Sequence, residues 1–322
     1  MPATVTHTQG LPPGMQVLER GWLSSTNLLC LGDAPALIDT GHLKHASQTL
    51  ALVRNALHRA PGTATLADVA HTHLHSDHCG GTAALQTAWP QARTWVPAPS
   101  LPHVQSWDET QLSFARTAQR CARFSASHAL RHGHTVALGD FDWQVHAAPG
   151  HDALAVLLFE PRHGVLVAGD ALWEHSVGVI FPHIDGGGND SFAHFTDTLA
   201  LIERLDPAIL VPGHGAPFWR AEGAIAAALQ RARQRMAHFQ AHPAAHALYA
   251  AKVLVKYQML DAERMTHASF SQWLHSVPHL HTLHRQHRPD LPWAAWLNEV
   301  LLAPMFSKGV LQRDATHVRD GD

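Results

Sequence analysis

The sequence predicts an α/β fold followed by a mainly helical C-terminal part. Over the first two thirds of the 322 residues, short apolar runs alternate with segments of helical periodicity, which is the pattern of strands connected by helices. Beyond Pro217 the apolar runs give way to long amphipathic segments, the first of them rich in alanine and arginine. We therefore expect an α/β domain over residues 1–220 and a helical domain over residues 221–322.

The first third of the chain predicts a strand pair, a helix, a strand and a second helix. Residues 27–41 form two apolar runs separated by a glycine–aspartate turn, so we expect two strands there. Residues 45–60 carry apolar side chains at helical spacing and end before a proline–glycine pair, which cannot continue a helix. The apolar run at 66–73 predicts a strand, and 81–89 predicts the helix that follows it.

Four further strands and a helix are predicted in the middle of the chain. The strands lie at 141–151, 153–161, 164–170 and 208–215, where aliphatic residues cluster between turn residues. A helix is predicted at 190–206 from the periodicity of its apolar residues. The first three of these strands each carry a polar residue near one end.

The C-terminal part predicts three amphipathic helices, at 221–242, 247–261 and 292–306. The last of them is followed by the segment 307–319, which has the composition of a small hairpin. The apolar faces of these helices are too large to leave in water. They must pack on the α/β domain, on one another or on a second chain, and a homodimer is therefore one expected assembly.

Composition excludes some classes of partner. Charged residues make up 15% of the chain and the formal net charge is -3, whereas a nucleic-acid-binding protein needs a basic patch. No apolar run reaches the length of a membrane span. The three cysteines provide no disulfide framework and suit a reducing compartment. We expect a cytoplasmic protein that acts on a small molecule, without a nucleic-acid or membrane partner.

The segment HTHLHSDHCGG, residues 71–81, is the most informative part of the sequence. His73 and His75 are two residues apart on an extended segment, so their side chains point to the same side and can bind one metal ion. Asp77 and His78 lie where the chain turns into the next helix and can face a second ion. The chain has 29 histidines, so a cluster of this kind is suggestive but not decisive by itself.

Three later residues complete the set of candidate ligands. His151, Asp170 and His214 each follow an apolar strand and each lies in a turn that contains glycine. Together with the earlier group they give five histidines and two aspartates, which suit two zinc ions bridged by a carboxylate. A structural zinc site normally has four closed ligands, often cysteines. The larger set here leaves room for water and substrate, which predicts catalysis.

This pattern resembles the metallo-β-lactamase-fold hydrolases, in which His-x-His-x-Asp-His is followed by a single His, Asp and His in the same order. The resemblance covers residues 15–218 and implies a four-layered αβ/βα sandwich, with the metal site at one edge between two sheets. It assigns one metal to His73, His75 and His151. It assigns the second metal to Asp77, His78 and His214, with Asp170 as the bridge. Asp39 matches a structural aspartate that supports the site.

The resemblance also implies a reaction. Two Zn²⁺ ions, with iron or manganese as alternatives, would hold a bridging hydroxide that attacks a carbonyl or phosphoryl centre. Asp77 would be the catalytic residue that orients this nucleophile and passes a proton to the leaving group. We therefore expect a metal-dependent hydrolase.

Departures from individual subfamilies narrow the expected substrate. The aspartate bridge at Asp170 is more similar to glyoxalase II, lactonases and nuclease-type members than to true metallo-β-lactamases. Glyoxalase II uses basic and tyrosine residues to bind glutathione, and residues 171–188 offer no match to them. Acyl-homoserine lactonases have a tyrosine in the active site, whereas both tyrosines of this chain, Tyr249 and Tyr257, lie in the helical tail. The tail resembles, weakly, the winged-helix tail of endoribonuclease-like members. We favour a small, largely apolar acyl ester, thioester or lactone. Alternatives are β-lactam hydrolysis, nuclease-like phosphoester hydrolysis and a di-iron redox role.

Several other residues are candidates for the surroundings of the metals. Trp173, Phe181 and His183 follow the bridging aspartate and are candidates for substrate binding. His71 fits a supporting or packing position beside the ligands. Cys79 is adjacent to the ligands, but we expect it to pack as a small apolar residue.

Overall fold

Two β-sheets form the centre of the first part of the chain. The protein is described from a computed structural model that covers residues 4–61, 65–181 and 190–321. The strands of the first sheet are β1 (Val5–His7), β2 (Met15–Glu19), β3 (Asn27–Cys30), β4 (Ala36–Ile38), β5 (Asp68–Ala70), β6 (Arg93–Pro97) and β7 (His128–Leu130). The strands of the second sheet are β8 (Thr135–Leu138), β9 (Phe141–Ala147), β10 (Val156–Glu160), β11 (Val165–Gly169), β12 (Ile209–Pro212) and β13 (Phe218–Trp219).

Both sheets are mixed. The first has the order β1-β2-β3-β4-β5-β6-β7, with antiparallel pairs up to β4 and parallel pairs from β4 to β7. The second has the order β13-β12-β11-β10-β9-β8, and its only parallel pair among the described residues is β11 with β12. The inner strands β10 and β11 are buried along their whole length because both faces of the sheet are covered. The edge strand β8 alternates exposed and buried residues.

The main hydrophobic core lies between the two sheets. It combines residues of the first sheet, such as Leu28 and Ile38, with residues of the second, such as Leu158 and Val167. Trp143 is its largest side chain, is fully buried and donates its indole N–H to the Leu138 carbonyl at 3.3 Å. The burial of these apolar residues supplies the main driving force for closing the sandwich.

Helices cover the outer faces of the sheets. Those of the α/β part are α1 (Ala46–Arg59), α2 (Ser76–Cys79), α3 (Thr82–Ala88), α4 (Leu101–Ser106) and α6 (Ser191–Leu205), with short 3₁₀ turns at Leu43–His45, Ala98–Ser100 and Arg220–Glu222. Helices α1 and α3 pack on the outer face of the first sheet, where Val53, Leu57 and Leu85 meet Leu29 and Leu37. Helix α6 joins the parallel strands β11 and β12. The result is the predicted four-layered αβ/βα sandwich.

A second compact unit comprises residues 113–119 and 236–322, and the first comprises residues 1–112 and 120–235. The helices of the second unit and of its junction are α5 (Phe114–Thr117), α7 (Ala224–Ala241), α8 (Pro243–Ala262), α9 (His267–Ser276), α10 (Pro278–His287), α11 (Trp293–Ala295) and α12 (Ala303–Ser307). The C-terminal region is helical, as predicted. The boundary between the units lies within α7. The domain boundary expected at residue 220 stays a prediction.

The predicted hairpin near the C-terminus is present and belongs to a larger sheet. Strands β15 (Leu311–Arg313) and β16 (His317–Asp320) form the hairpin, and β14 (Arg264–Thr266) pairs with β16 on its other side. No local pattern marked β14, because the strand is short and mostly exposed. The winged-helix resemblance stays a prediction.

The predicted helix over 292–306 is present but is not a regular α-helix. Its middle, Trp296–Leu302, is π-helical, and the N–H of Ala303 donates to the carbonyl of Asn298, five residues earlier. Pro304 has no N–H, so it cannot donate the hydrogen bond that would continue an α-helix. The π-helical turn ends just before this proline.

Several strands and helices were not predicted, because their sequences alternate only weakly between apolar and polar residues. Among them are β1, β2, β6, β7 and β8, which are short or partly exposed, and the histidine-rich helices α9 and α10. Among the described residues, no helix combines the length and apolar composition needed to cross a lipid bilayer.

Trp143→Ala is expected to destabilise the α/β unit. The substitution removes the largest side chain between the sheets and leaves a cavity, which costs about 3–5 kcal/mol of unfolding free energy. Urea unfolding followed by circular dichroism measures this loss. Asp142→Ala is the matched control, since Asp142 is the exposed neighbour on the same strand, and it should change the unfolding free energy by less than about 0.5 kcal/mol. Equal effects of the two substitutions would contradict the placement of Trp143 in the core.

Candidate metal centre

The ends of four strands gather the candidate ligands at one edge of the sandwich. The segment with His73, His75, Asp77 and His78 follows β5, Asp170 follows β11, and His214 lies just beyond β12. His151 lies in the turn between β9 and β10. The strands fix the positions of these segments, and the turns after them bring the side chains together.

The structure brings the seven predicted ligands into two adjacent groups. The three-histidine cluster consists of His73, His75 and His151, and the Asp–His cluster consists of Asp77, His78, Asp170 and His214. Within each group the ligand atoms lie within 4.8 Å of one another. Five of the seven side chains are buried, and those of His75 and Asp77 are nearly so, so the donors face a common, largely dehydrated space.

Asp170 lies between the two groups. Its Oδ2 atom is 3.3 Å from Nε2 of His151 in the three-histidine cluster. Its Oδ1 atom is 3.2 Å from Nε2 of His78 in the Asp–His cluster. One carboxylate therefore directs one oxygen to each group, which is the arrangement that a bridging ligand requires.

Hydrogen bonds on the outer side of the rings set which nitrogen faces the centre. Nδ1 of His151 donates to the carbonyl of Val179 at 2.6 Å, which leaves the lone pair of Nε2 for the centre. Nδ1 of His78 is 2.8 Å from Oδ2 of Asp39 and donates to that carboxylate. Partners of this kind fix the tautomer and the orientation of metal-binding histidines.

Asp39 supports the centre without being part of either cluster. Besides His78, it accepts hydrogen bonds from the backbone N–H of Thr72 at 2.9 Å and from the Thr72 hydroxyl at 2.8 Å. Its backbone is left-handed, with φ of 58°, a conformation that aspartate tolerates better than most residues. The carboxylate thereby ties the end of β4 to the segment that carries the first four ligands.

Burial and neighbouring charges separate the pKa values of the site. Burial lowers the pKa of His73, His75 and His151, the last to about 4, so these rings are neutral at neutral pH and can bind metal. Burial also acts to lower the pKa of His78, but the three nearby carboxylates outweigh it and raise that pKa well above its usual value. Burial acts to raise the pKa of Asp170, and the surrounding histidines overcome it, so this pKa lies well below its usual range.

The donors present fit a pair of divalent metal ions. Nε2 of His73 is buried and has no hydrogen-bond partner among the described residues, although it faces the other two rings of its cluster. A buried imidazole nitrogen without a partner costs free energy unless a ligand satisfies it. Imidazole and carboxylate donors are those that zinc prefers when sulfur is absent.

The supporting residues predicted from the sequence have definite places. His71 is fully buried, with Nε2 3.0 Å from the Thr82 hydroxyl and Nδ1 3.7 Å from Asp39 Oδ1, so it lies behind the clusters. Cys79 is buried, and its Sγ is 3.7 Å from Sγ of Cys121. Both are free thiols.

Two of the three candidates for substrate binding, Trp173 and Phe181, lie beside the clusters. Trp173 is half-buried and donates its indole N–H to Oδ1 of Asp170 at 3.2 Å. Phe181 is half-buried, with its ring 6.5 Å from that of His75 and 6.4 Å from that of His151. His183 lies outside the described residues.

Sequence reasoning missed two residues beside the centre. Trp22 is 63% exposed, and its ring is stacked on that of His214 at 5.5 Å between centroids. No signal marked it, because the loop between β2 and β3 is brought to His214 only by the fold. Asp152 is buried, and its Oδ2 atom is 3.8 Å from Nε2 of His75. Its position directly after His151 was an available signal.

Comparison with known proteins assigns the family. The model of the metallo-beta-lactamase superfamily matches residues 20–214, which include all seven candidate ligands. The chain belongs to the metallo-β-lactamase superfamily. The family and the fold that the sequence resemblance implied are therefore confirmed.

Individual relatives of this superfamily member are distant. It is 26% identical over 141 residues to a hydroxyacylglutathione hydrolase of Legionella pneumophila, a match that covers 44% of each chain. It is 24% identical over 233 residues to the probable metallo-hydrolase YqjP of Bacillus subtilis, covering 64% of this chain and 72% of that one. The match to the hydroxyacylglutathione hydrolase thus spans less than half the length of that relative.

Solved structures show the same fold. The metallo-beta-lactamase family protein TTHA1429 of Thermus thermophilus superposes with a TM-score of 0.54 at 18% identity, covering 99% of this chain and 98% of that one. The B3 metallo-beta-lactamase BLEG-1 superposes with a TM-score of 0.52 at 21% identity, covering 65% of this chain and 95% of that one. At these identities the likeness concerns the fold alone.

Gly213→Ala is expected to damage the centre. A Cβ atom at Gly213 would overlap Oδ1 of Asp170 and the backbone of Gly169, so the carboxylate must move away from its position between the clusters. We expect weaker zinc binding in a chelator competition, and a loss of about 1–3 kcal/mol of unfolding free energy from overpacking.

Gly133→Ala is the control for this substitution, because a Cβ atom there meets no other atom within 4 Å. Its left-handed backbone, with φ of 81°, makes some loss of stability expected, but zinc affinity should equal that of the unsubstituted protein. Wild-type zinc affinity in Gly213→Ala would contradict the tight contact with Asp170.

Proposed function

We propose that the protein is a dinuclear zinc hydrolase that acts on a small, largely apolar acyl ester, thioester or lactone. The observation that carries the proposal is the position of Asp170, whose two carboxylate oxygens face the two ligand clusters. His73, His75 and His151 would hold one ion. The second would be held by Asp77, His78 and His214, with Asp170 shared. Membership of the metallo-β-lactamase superfamily supports the hydrolytic chemistry.

Bound zinc would make water available as a nucleophile near neutral pH and would stabilise the negative charge that develops on an acyl oxygen. The protein contributes Asp77, whose Oδ2 atom is 3.1 Å from Nε2 of His214. Burial acts to raise the pKa of Asp77, but His78 and His214 lower it to about 2, so the carboxylate is ionised at neutral pH. It can therefore take a proton from the attacking water and pass that proton to the leaving group.

The walls next to the centre favour an apolar acyl group. Trp22 and Trp173 lie 5.5 Å apart, and both contact the ring of His214. Phe181 lies beside the three-histidine cluster. Val177, Val179 and Ile180 are buried, so the apolar surface that the described residues next to the centre offer to a substrate comes from the three aromatic residues.

Cations that could bind a charged substrate are scarce near these walls. Residues 171–188 contain no lysine or arginine. Arg20 is buried and donates to Asn27 and Thr49, and Arg231 donates to the carbonyl of Glu174. A glutathione thioester carries two carboxylates that would need such cations. The proposed substrate therefore differs from the one that the name of the hydroxyacylglutathione hydrolases states.

Location and assembly are further parts of the proposal. The cysteines are all free thiols, which supports a reducing compartment such as the cytoplasm. A homodimer stays a prediction, and so does the burial of the apolar faces of the C-terminal helices.

Asp170→Asn is expected to weaken both metal sites. The amide removes the negative charge that both clusters share, so the substituted protein should retain less than the two zinc ions per chain expected of the unsubstituted protein. Elemental analysis by mass spectrometry measures the stoichiometry and separates zinc from iron or manganese. Glu160→Gln is the control, because Glu160 is a buried carboxylate that serves a turn through the N–H groups of Arg162 and His163. A single ion in fully loaded wild-type protein would contradict the proposal.

A substrate screen is expected to favour uncharged acyl groups. We expect higher kcat/KM for apolar esters, thioesters or lactones than for S-lactoylglutathione, a β-lactam or bis-p-nitrophenyl phosphate. Trp22→Ala should reduce kcat/KM for the apolar substrate mainly through KM, because it removes binding surface and no metal ligand. Trp89→Ala, a partly buried tryptophan of the helical layer, is the control. Efficient hydrolysis of S-lactoylglutathione would overturn the apolar assignment and support the activity named for the curated relatives.

A further inference from the structure

The three-histidine cluster needs its rings held in one tautomer each. A ring can offer a lone pair to a metal only at the nitrogen that carries no proton. For His151 the Val179 carbonyl fixes the proton on Nδ1, and Nδ1 of His73 is 3.1 Å from the Thr72 hydroxyl. For His75, the group that fixes the position of the ring proton has still to be identified.

His75 is turned the other way round from His151. Its Nδ1 atom faces the cluster, 2.8 Å from Nε2 of His151. Its Nε2 atom points away from the cluster and lies 3.8 Å from Oδ2 of Asp152. Both side chains are nearly buried, at 12% and 11% exposed, so little water separates the carboxylate from the ring and their interaction is weakly screened.

The turn that contains Asp152 fixes the direction of its carboxylate. The backbone N–H of Leu154 donates to Oδ1 at 2.6 Å, and the Asp152 carbonyl accepts from the N–H of Gly150 at 3.2 Å. One carboxylate oxygen is thus occupied by the turn, and the other faces His75. A negative charge in that place stabilises a proton on Nε2 and so leaves the Nδ1 lone pair for the cluster.

We propose that Asp152 is a positioning residue of the metal centre, which holds His75 with the proton on Nε2 and the lone pair of Nδ1 towards His73 and His151. The inference rests on the dinuclear zinc centre of the proposed function. Its effect is directed at one of the two metals, because His75 belongs to the three-histidine cluster and not to the Asp–His cluster.

Zinc titration of Asp152→Asn tests this role. The substitution keeps an oxygen for the Leu154 N–H and removes the charge that faces His75. We expect one of the two zinc ions to bind about 10- to 100-fold more weakly, with the other unchanged. Asp152→Glu, which retains the charge, should recover part of the affinity. Glu160→Gln is the matched control, since it neutralises another buried turn carboxylate and should leave both zinc affinities at the wild-type value.

Long-range ¹H–¹⁵N NMR of the metal-free protein gives a second readout that no hydrolysis assay is needed to interpret. We expect His75 to be protonated on Nε2 in the unsubstituted protein, and to populate the other tautomer in Asp152→Asn. An unchanged tautomer together with unchanged zinc affinity would overturn the proposal. Equal weakening of both metals with a lower unfolding free energy would also overturn it, because that result indicates a purely structural role. A failed substrate screen with these binding results intact would count only against the proposed substrate.

Discussion

The carboxylate of Asp170 is the constraint on which the rest of the site depends. Its two oxygens lie 3.3 Å from His151 and 3.2 Å from His78, which belong to different clusters and to distant parts of the chain. For one carboxylate to reach both, the end of β11 must lie close to the segment after β5 that carries His78 and to the turn between β9 and β10 that carries His151. The backbone around Asp170 is correspondingly tight, and a side chain at Gly213 would occupy the place of its Oδ1 atom.

So many buried polar groups are stable together only because they compensate one another. Burying an isolated charge costs far more free energy than a domain can spare. Here Asp39 accepts three hydrogen bonds, two from Thr72 and one from His78, and the aspartates and histidines of the centre lie within reach of one another. Nε2 of His73 has no hydrogen-bond partner among the described residues. The protein alone therefore does not satisfy this buried nitrogen, and a bound metal ion would.

Much of this arrangement could be predicted from local patterns. The α/β class followed from the alternation of apolar runs and helical periodicity, because burial on one face or two imposes those periods directly on the sequence. The ligand segment was visible because the spacing of His73 and His75 puts both on one side of an extended chain. Short or partly exposed strands such as β8 and β14 escaped, since their side chains carry little hydrophobic contrast.

The sequence by itself determined the fold class, the helical C-terminal region and the seven candidate ligands, because strand ends and glycine turns are encoded locally. Only the tertiary structure decided which groups meet: Trp22 against His214, and Asp152 behind His75. The π-helical turn before Pro304 was likewise set by the folded helix and not by its periodicity. Contacts between residues far apart in the chain depend on the packing of whole sheets, and no local pattern records the distance or direction of a side chain across that packing.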